Sequence, residues 1–358
     1  MAFDYERMAF MKLFINYIAH MPTWVYETLL ANHIIDGLKF PGTGASPEEN
    51  IAFIQLIKSL GCEVDNHGWN GITGQLHDPH FADHISDFAN LEEYLNLPNA
   101  WNFSSHIGAS IKKLPNVSIS QGDFDTILLE NLSKIRETIN HLTGKKAKIC
   151  GEGIFPYYFD PRTTTPAFIN KTLKTTGLKD GLDGLVLDIC HSQVASKFME
   201  ANMVHEEYSL YDYINDLNSS SVKIIHVSGR GSQKELLSKK NINFSKDQLL
   251  DPHVSSTAEE LDTLRKCLKL CPNVKQVSNE IAYHESFGKD LTVFDYVREA
   301  LLTWVAINAK SSVEEAERII RTELSAKFNG SKLEQVFSYL KKIWTLKLFY
   351  LAISIWNC

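Results

Sequence analysis

Seven short apolar runs in this chain each lead into a side chain able to bind a metal ion. In order they read EVDNHGW with His67, WNFSSHIG with His106, AKICGEG with Glu152, LVLDICH with Asp188 and His191, KIIHVSG with His226, LLDPHVS with Asp251 and His253, and VKQVSNE with Glu280. Neutral imidazoles suit zinc, iron, nickel or copper, whereas carboxylates favour harder ions and can bridge two of them. This set exceeds the coordination needs of one ion, so the pattern predicts two or three ions a few ångströms apart. Without cations, carboxylates gathered at one point would repel and raise each other's pKa values. Glu152, Asp188 and Asp251 are the carboxylates expected to take part directly in catalysis.

Each residue alone has a plainer reading. Glu152 could be a salt-bridged carboxylate at a strand end, and Asp188 could be the N-cap of the following helix. Recurrence across successive strands is what favours a site. Asp188 and His191 straddle a strand-to-helix junction, so both can face one mouth. Asp251 and His253 share a face only if their segment is extended. Glu152 and Glu280 end different strands, well apart, and each is expected to bridge different ions. His77, His80 and His84 lie in a loop and helix, where a surface or substrate-facing role is the expectation. His284 reads as a solvated residue. Gly229-Arg230-Gly231 forms either an ordinary turn or a loop gripping an anionic or peptide group, which makes Ser228 and Arg230 candidate substrate contacts.

The elements that must position these residues follow from periodicity. Strands are expected at 11–19, 35–40, 62–67, 100–106, 147–152, 184–188, 222–227 and 274–280, with helices between them. Ser46-Pro47-Glu48-Glu49 is a helix start with Ser46 as N-cap, and Gly61 is its stop. Residues 78–97 read as helical, and a long amphipathic helix is expected over 121–143. Alternation of strand and helix predicts an α/β fold, a (β/α)₈ TIM barrel, whose active sites lie at the C-terminal ends of the strands. After Glu280 the pattern is purely helical. The expected division is a catalytic barrel at 1–308 and a C-terminal α-helical extension at 309–358.

Composition narrows the function. The 358 residues are 44% apolar and 22% charged, enough for one large core. A net charge of −7, from 43 acidic and 36 basic residues, argues against a nucleic-acid partner. The six cysteines are scattered, and Cys267 and Cys271 read as a helix-face pair rather than a disulfide. With no signal-like start, a cytoplasmic location is expected. The apolar tail 343–358 is short for a membrane span and reads as a packing helix or partner contact.

The ordered ligand set resembles the trinuclear site of type-IV apurinic endonucleases and the wider xylose-isomerase-like barrels. The wording around it is more similar to the multinuclear non-heme iron-dependent oxidative enzymes (the MNIO family), which include the methanobactin-biosynthesis oxidase. The shared segments are Leu187-Asp188-x-x-His191, Ser104-x-His106, His226-Val227-Ser228-Gly229 and Asp251-Pro252-His253. The chain departs from that family at Gly153, where Asn is common, and at Ile281-Ala282, where Trp-Asp is common. The resemblance implies oxidative modification of a ribosomally synthesised precursor peptide, usually at Cys, with two or three iron ions, Fe(II)/Fe(III), and O₂ as co-substrate. It also implies a separate peptide-recognition protein, for which the helical extension is a candidate surface. The competing branch is a hydrolase or isomerase using Zn, Mn or Mg.

Overall fold

Eight parallel strands hydrogen-bond in chain order and close on themselves, β1 pairing with β8. The computed structural model describes residues 11–40, 46–67, 76–77, 81, 85, 88, 90–108, 121–153, 161–175, 181–204, 206–231, 233, 237, 252–284, 289–308 and 312–324. The strands are β1 Lys12–Asn16, β2 Gly37–Lys39, β3 Glu63–His67, β4 Phe103–His106, β5 Ile149–Glu152, β6 Gly184–Asp188, β7 Val222–Val227 and β8 Gln276–Asn279. Because successive strand residues point to opposite faces, half of each strand packs outward on helices. The other half fills the barrel.

The described helices are α1 Thr23–Ala31, α2 Pro47–Leu60, α3 Leu91–Leu95, α4 Gln121–Thr143, α5 Pro166–Thr175, α6 Ile189–Met199, α7 Leu210–Asp216, α8 Ala258–Leu270, α9 Val293–Asn308 and α10 Val313–Leu324. A π-helical turn, Glu200–Val204, continues α6. Helix α2 starts as its sequence predicts, with a reciprocal capping box between Ser46 and Glu49, a device worth about 1 kcal/mol. It stops at Gly61, whose φ of 64° is the left-handed conformation that costs glycine least. In α4, Leu128, Leu132, Ile135 and Ile139 recur at helical spacing, and all are fully buried.

One expectation needs revision. In the 78–97 segment only the single turn Leu91–Leu95 is a described helix. Val313, Ala316 and Ile320 of α10 join the main apolar core, and Glu317 meets Arg298 of α9 at 2.5 Å. The rest of the expected extension, from residue 325, lies outside the described residues, as does the apolar tail. Among the described residues, no helix is long and apolar enough to cross a membrane. Cys62, Cys150, Cys190, Cys267 and Cys271 are buried thiols, and Cys271 N–H caps α8 on the Cys267 carbonyl at 2.9 Å.

Candidate metal centre

Parallel register decides which ligand candidates meet. His106 pairs with Glu152 across β4 and β5, and Asp188 pairs with His226 across β6 and β7. Paired residues face the same side, so these four share the barrel interior at its C-terminal end. His67 joins them through β3, opposite Ser104.

Glu152 is the centre of the arrangement and has no solvent exposure. Its Oε2 lies 3.4 Å from His67 Nε2 and 3.1 Å from His226 Nδ1. Its Oε1 lies 3.5 Å from His106 Nε2 and 2.9 Å from His191 Nδ1. Each carboxylate oxygen therefore faces its own pair of imidazoles. Neither Glu152 oxygen, nor either ring nitrogen of His226, has a hydrogen-bond partner of acceptable geometry among the described residues. Buried polar atoms are rarely left so. Two ligands bound about 2.1 Å from one ion are separated by about 3.0–3.4 Å, close to the observed spacings. The residues fit metal ions.

Among the described residues three groups of donors converge closely enough to hold an ion: His67/Glu152/His226, His106/Glu152/His191 and Asp188/His226/Glu280. The first two use different oxygens of Glu152. Glu280, just past β8, places Oε1 3.1 Å from His226 Nδ1. Glu152 and Glu280 are therefore not remote from each other, as their separation in sequence suggested, since both reach the same imidazole nitrogen. Barrel curvature brings their side chains together.

Electrostatics prepare these groups for cations. Burial, and next the Lys39 ammonium, push the His67 imidazole well below its usual pKa, keeping the ring neutral. With its proton on Nδ1, that ring donates to Ser104 Oγ at 2.9 Å, leaving the Nε2 lone pair aimed at Glu152. Burial alone would raise the Glu152 carboxyl, but the neighbouring imidazoles, His226 foremost, outweigh it and hold the group well below the usual carboxylate range.

The plainer reading of Asp188 also holds. Its Oδ1 accepts the His191 backbone N–H at 2.6 Å, capping α6. Asp188 thus fixes His191 while remaining within one of the donor groups. His253 is more peripheral, with Nδ1 3.6 Å from Glu280 Oε2. Its φ of 45° is left-handed. Asp251 itself lies outside the described residues.

Ser228 is buried with its hydroxyl 3.4 Å from Cys190 Sγ. Arg230 donates from its backbone N and Nε to Glu260 Oε1 at 3.0 and 3.2 Å. The turn between them is ordered: Gly229 and Val254 exchange backbone hydrogen bonds. A Cβ on Gly229 would lie 2.0 Å from the Ser255 carbonyl oxygen, so only glycine permits that approach. His284 pairs with Asp295 at 3.2 Å. His77 is wholly buried between Phe124 and Phe168, neither surface nor substrate-facing. His80 and His84 lie outside the described residues.

Sequence reading missed Lys39. It ends β2, is 3% exposed, and its Nζ is paired with Glu280 Oε1. A lysine set between Leu38 and Phe40 in the expected strand 35–40 was the available signal, because a strand lysine facing a barrel interior needs a buried anion.

No family model matches the chain, and no curated protein matches it. Among solved structures it is similar to a D-psicose 3-epimerase determined with D-fructose, at 12% identity and a TM-score of 0.45, covering 87% of this chain and 99% of the other. It is similar also to protein SMc04130 from Sinorhizobium meliloti 1021, at 13% identity and a TM-score of 0.45, covering 84% and 98%. A class V chitinase from Pseudomonas fluorescens Pf-5 matches at 11% identity and a TM-score of 0.37, covering 82% and 99%. Likeness of this degree carries no conclusion about chemistry.

Proposed function

We propose that this barrel is a multinuclear metal enzyme performing iron- and O₂-dependent oxidative modification of a Cys-containing, ribosomally made peptide. The metal part rests on one observation above all: the two oxygens of Glu152 face separate imidazole pairs, the geometry of a bridging carboxylate. The choice of iron and peptide rests on the sequence resemblance around Asp188, His226 and Asp251. Bound iron would supply an open position for a substrate thiolate, a soft ligand, and electrons for O₂.

The chain's own residues hold that chemistry in place. His67 and His226 present donors on one side of Glu152, and His106 with His191 on the other. Ser104 fixes the His67 tautomer, and Asp188 holds the backbone of His191 through the helix cap. Ser228 and Arg230, in the turn after β7, are the proposed substrate contacts. A separate recognition protein would present the peptide, with the chain beyond residue 324 as its proposed docking surface, in the cytoplasm.

The test is oxygen uptake by iron-loaded protein given a Cys-containing peptide, with a peptide mass showing loss of hydrogen or gain of oxygen. Replacing that Cys by Ser should suppress turnover, since a hydroxyl is a harder and far less acidic ligand. The carboxylate-rich group Asp188/His226/Glu280 favours the second reading, a Zn, Mn or Mg hydrolase or isomerase. Zinc- or manganese-dependent cleavage of an abasic DNA duplex, or sugar isomerisation without oxygen uptake, would select it.

A further inference from the structure

The third donor group is not equivalent to the other two. It re-uses His226, whose Nδ1 faces Glu152 Oε2 and Glu280 Oε1 at 3.1 Å each. One imidazole nitrogen has one lone pair and can bind one ion. Of the group's remaining donors, Asp188 already commits Oδ1 to the α6 cap, and Glu280 Oε1 faces the Lys39 ammonium.

Lys39 is held there by the sheet. It pairs in register with Asn16 of β1 and Asp65 of β3, so all three side chains point inward. Asp65 accepts a hydrogen bond from Ser278 at 2.6 Å, next to β8's approach to Glu280. The lysine stem has little room to withdraw, being 4% exposed at the side chain. A dication on Glu280 Oε1 would have to sit beside a buried ammonium, which repels it strongly in a poorly screened interior.

We infer that Lys39 is a built-in cation occupying the place of a third metal ion, so that Glu280 is neutralised by the chain itself and the mouth takes two ions, both on Glu152. This inference rests on the metal-enzyme reading and deepens it by fixing the number of ions. Lys39 acts as a positioning residue: it holds Glu280 against His226 without touching either ion.

The test counts ions. Purified protein, Lys39→Met and Lys39→Arg are each equilibrated with excess Mn²⁺, freed of loose metal, and measured by elemental analysis beside circular dichroism. The inference predicts two ions in the native chain, three in Lys39→Met, where Glu280 is released, and two in Lys39→Arg, which keeps the charge. Three ions in the native chain, or two in a folded Lys39→Met, overturns it. A native chain that binds no ion sinks the metal-enzyme reading itself, a distinguishable failure. Should Lys39→Met not fold, anomalous diffraction from native crystals soaked in Mn²⁺ decides. Two peaks with Lys39 still on Glu280 support the inference, and a peak on Glu280 with Lys39 displaced overturns it.

Discussion

His77 carries a pH dependence that can be worked out from its surroundings. The ring is wholly buried, 5.3 Å from Phe124 and 5.7 Å from Phe168 between centroids, and Nδ1 accepts the Gly108 N–H at 3.0 Å. Burial lowers its pKa from 6.5 to about 3. In the unfolded chain the ring takes up its proton first, so the contribution is complete above about pH 6.5 and is lost progressively as pH falls toward 3. At 1.36 kcal/mol per pKa unit, lowering pH from about 7.5 to about 5 costs about 2 kcal/mol at this one site. His77→Gln removes the titration while keeping an acceptor for Gly108. Urea unfolding of the metal-free protein at both pH values, for native chain and variant, isolates the ring as a double difference. The variant should lose about 2 kcal/mol less on acidification. Equal losses would show that His77 is not a buried neutral ring, and the clamp it forms on the loop after His106 would fall with it.

Three other outcomes are expected. His106→Ala should weaken metal binding at least tenfold, whereas His284→Ala, whose ring pairs with Asp295, should leave it nearly unchanged; equal effects in a metal titration would refute the ligand assignment. Gly229→Ala should destabilise the protein by about 1–3 kcal/mol, because its Cβ would lie 2.0 Å from the Ser255 carbonyl oxygen; an unchanged urea midpoint would contradict this. Removing the chain from residue 312 onward uncovers the surface under Val313, Ala316 and Ile320, so Tm should fall while metal stoichiometry holds. Loss of the metals instead would make α10 part of the site's support.

The barrel was legible because its signals are local. Capping at Ser46, the stop at Gly61, and the strands Gly184–Asp188 and Val222–Val227 match the expected bounds. The ligand candidates on β3 to β7 were legible for a related reason: a polar residue ending an apolar strand has few places to point except the mouth. What sequence could not give was distance across the barrel. Closure, not spacing, brings Glu280 and Glu152 to one imidazole and seats Lys39 against Glu280. Arg230 shows the converse. Its loop suggests an open grip, yet the N-terminal turn of α8 supplies Glu260, which engages both its backbone and its side chain.

The central claim is that Glu152 joins two metal ions, and the spin coupling of the loaded protein tests it most directly. Manganese(II) bound at both positions should give an exchange-coupled paramagnetic resonance spectrum at two ions per chain, because a shared carboxylate couples the electrons of the ions it bridges. Glu152→Gln should abolish that coupled signal. A native protein whose spectrum at saturation is only the six-line pattern of isolated ions would contradict the account.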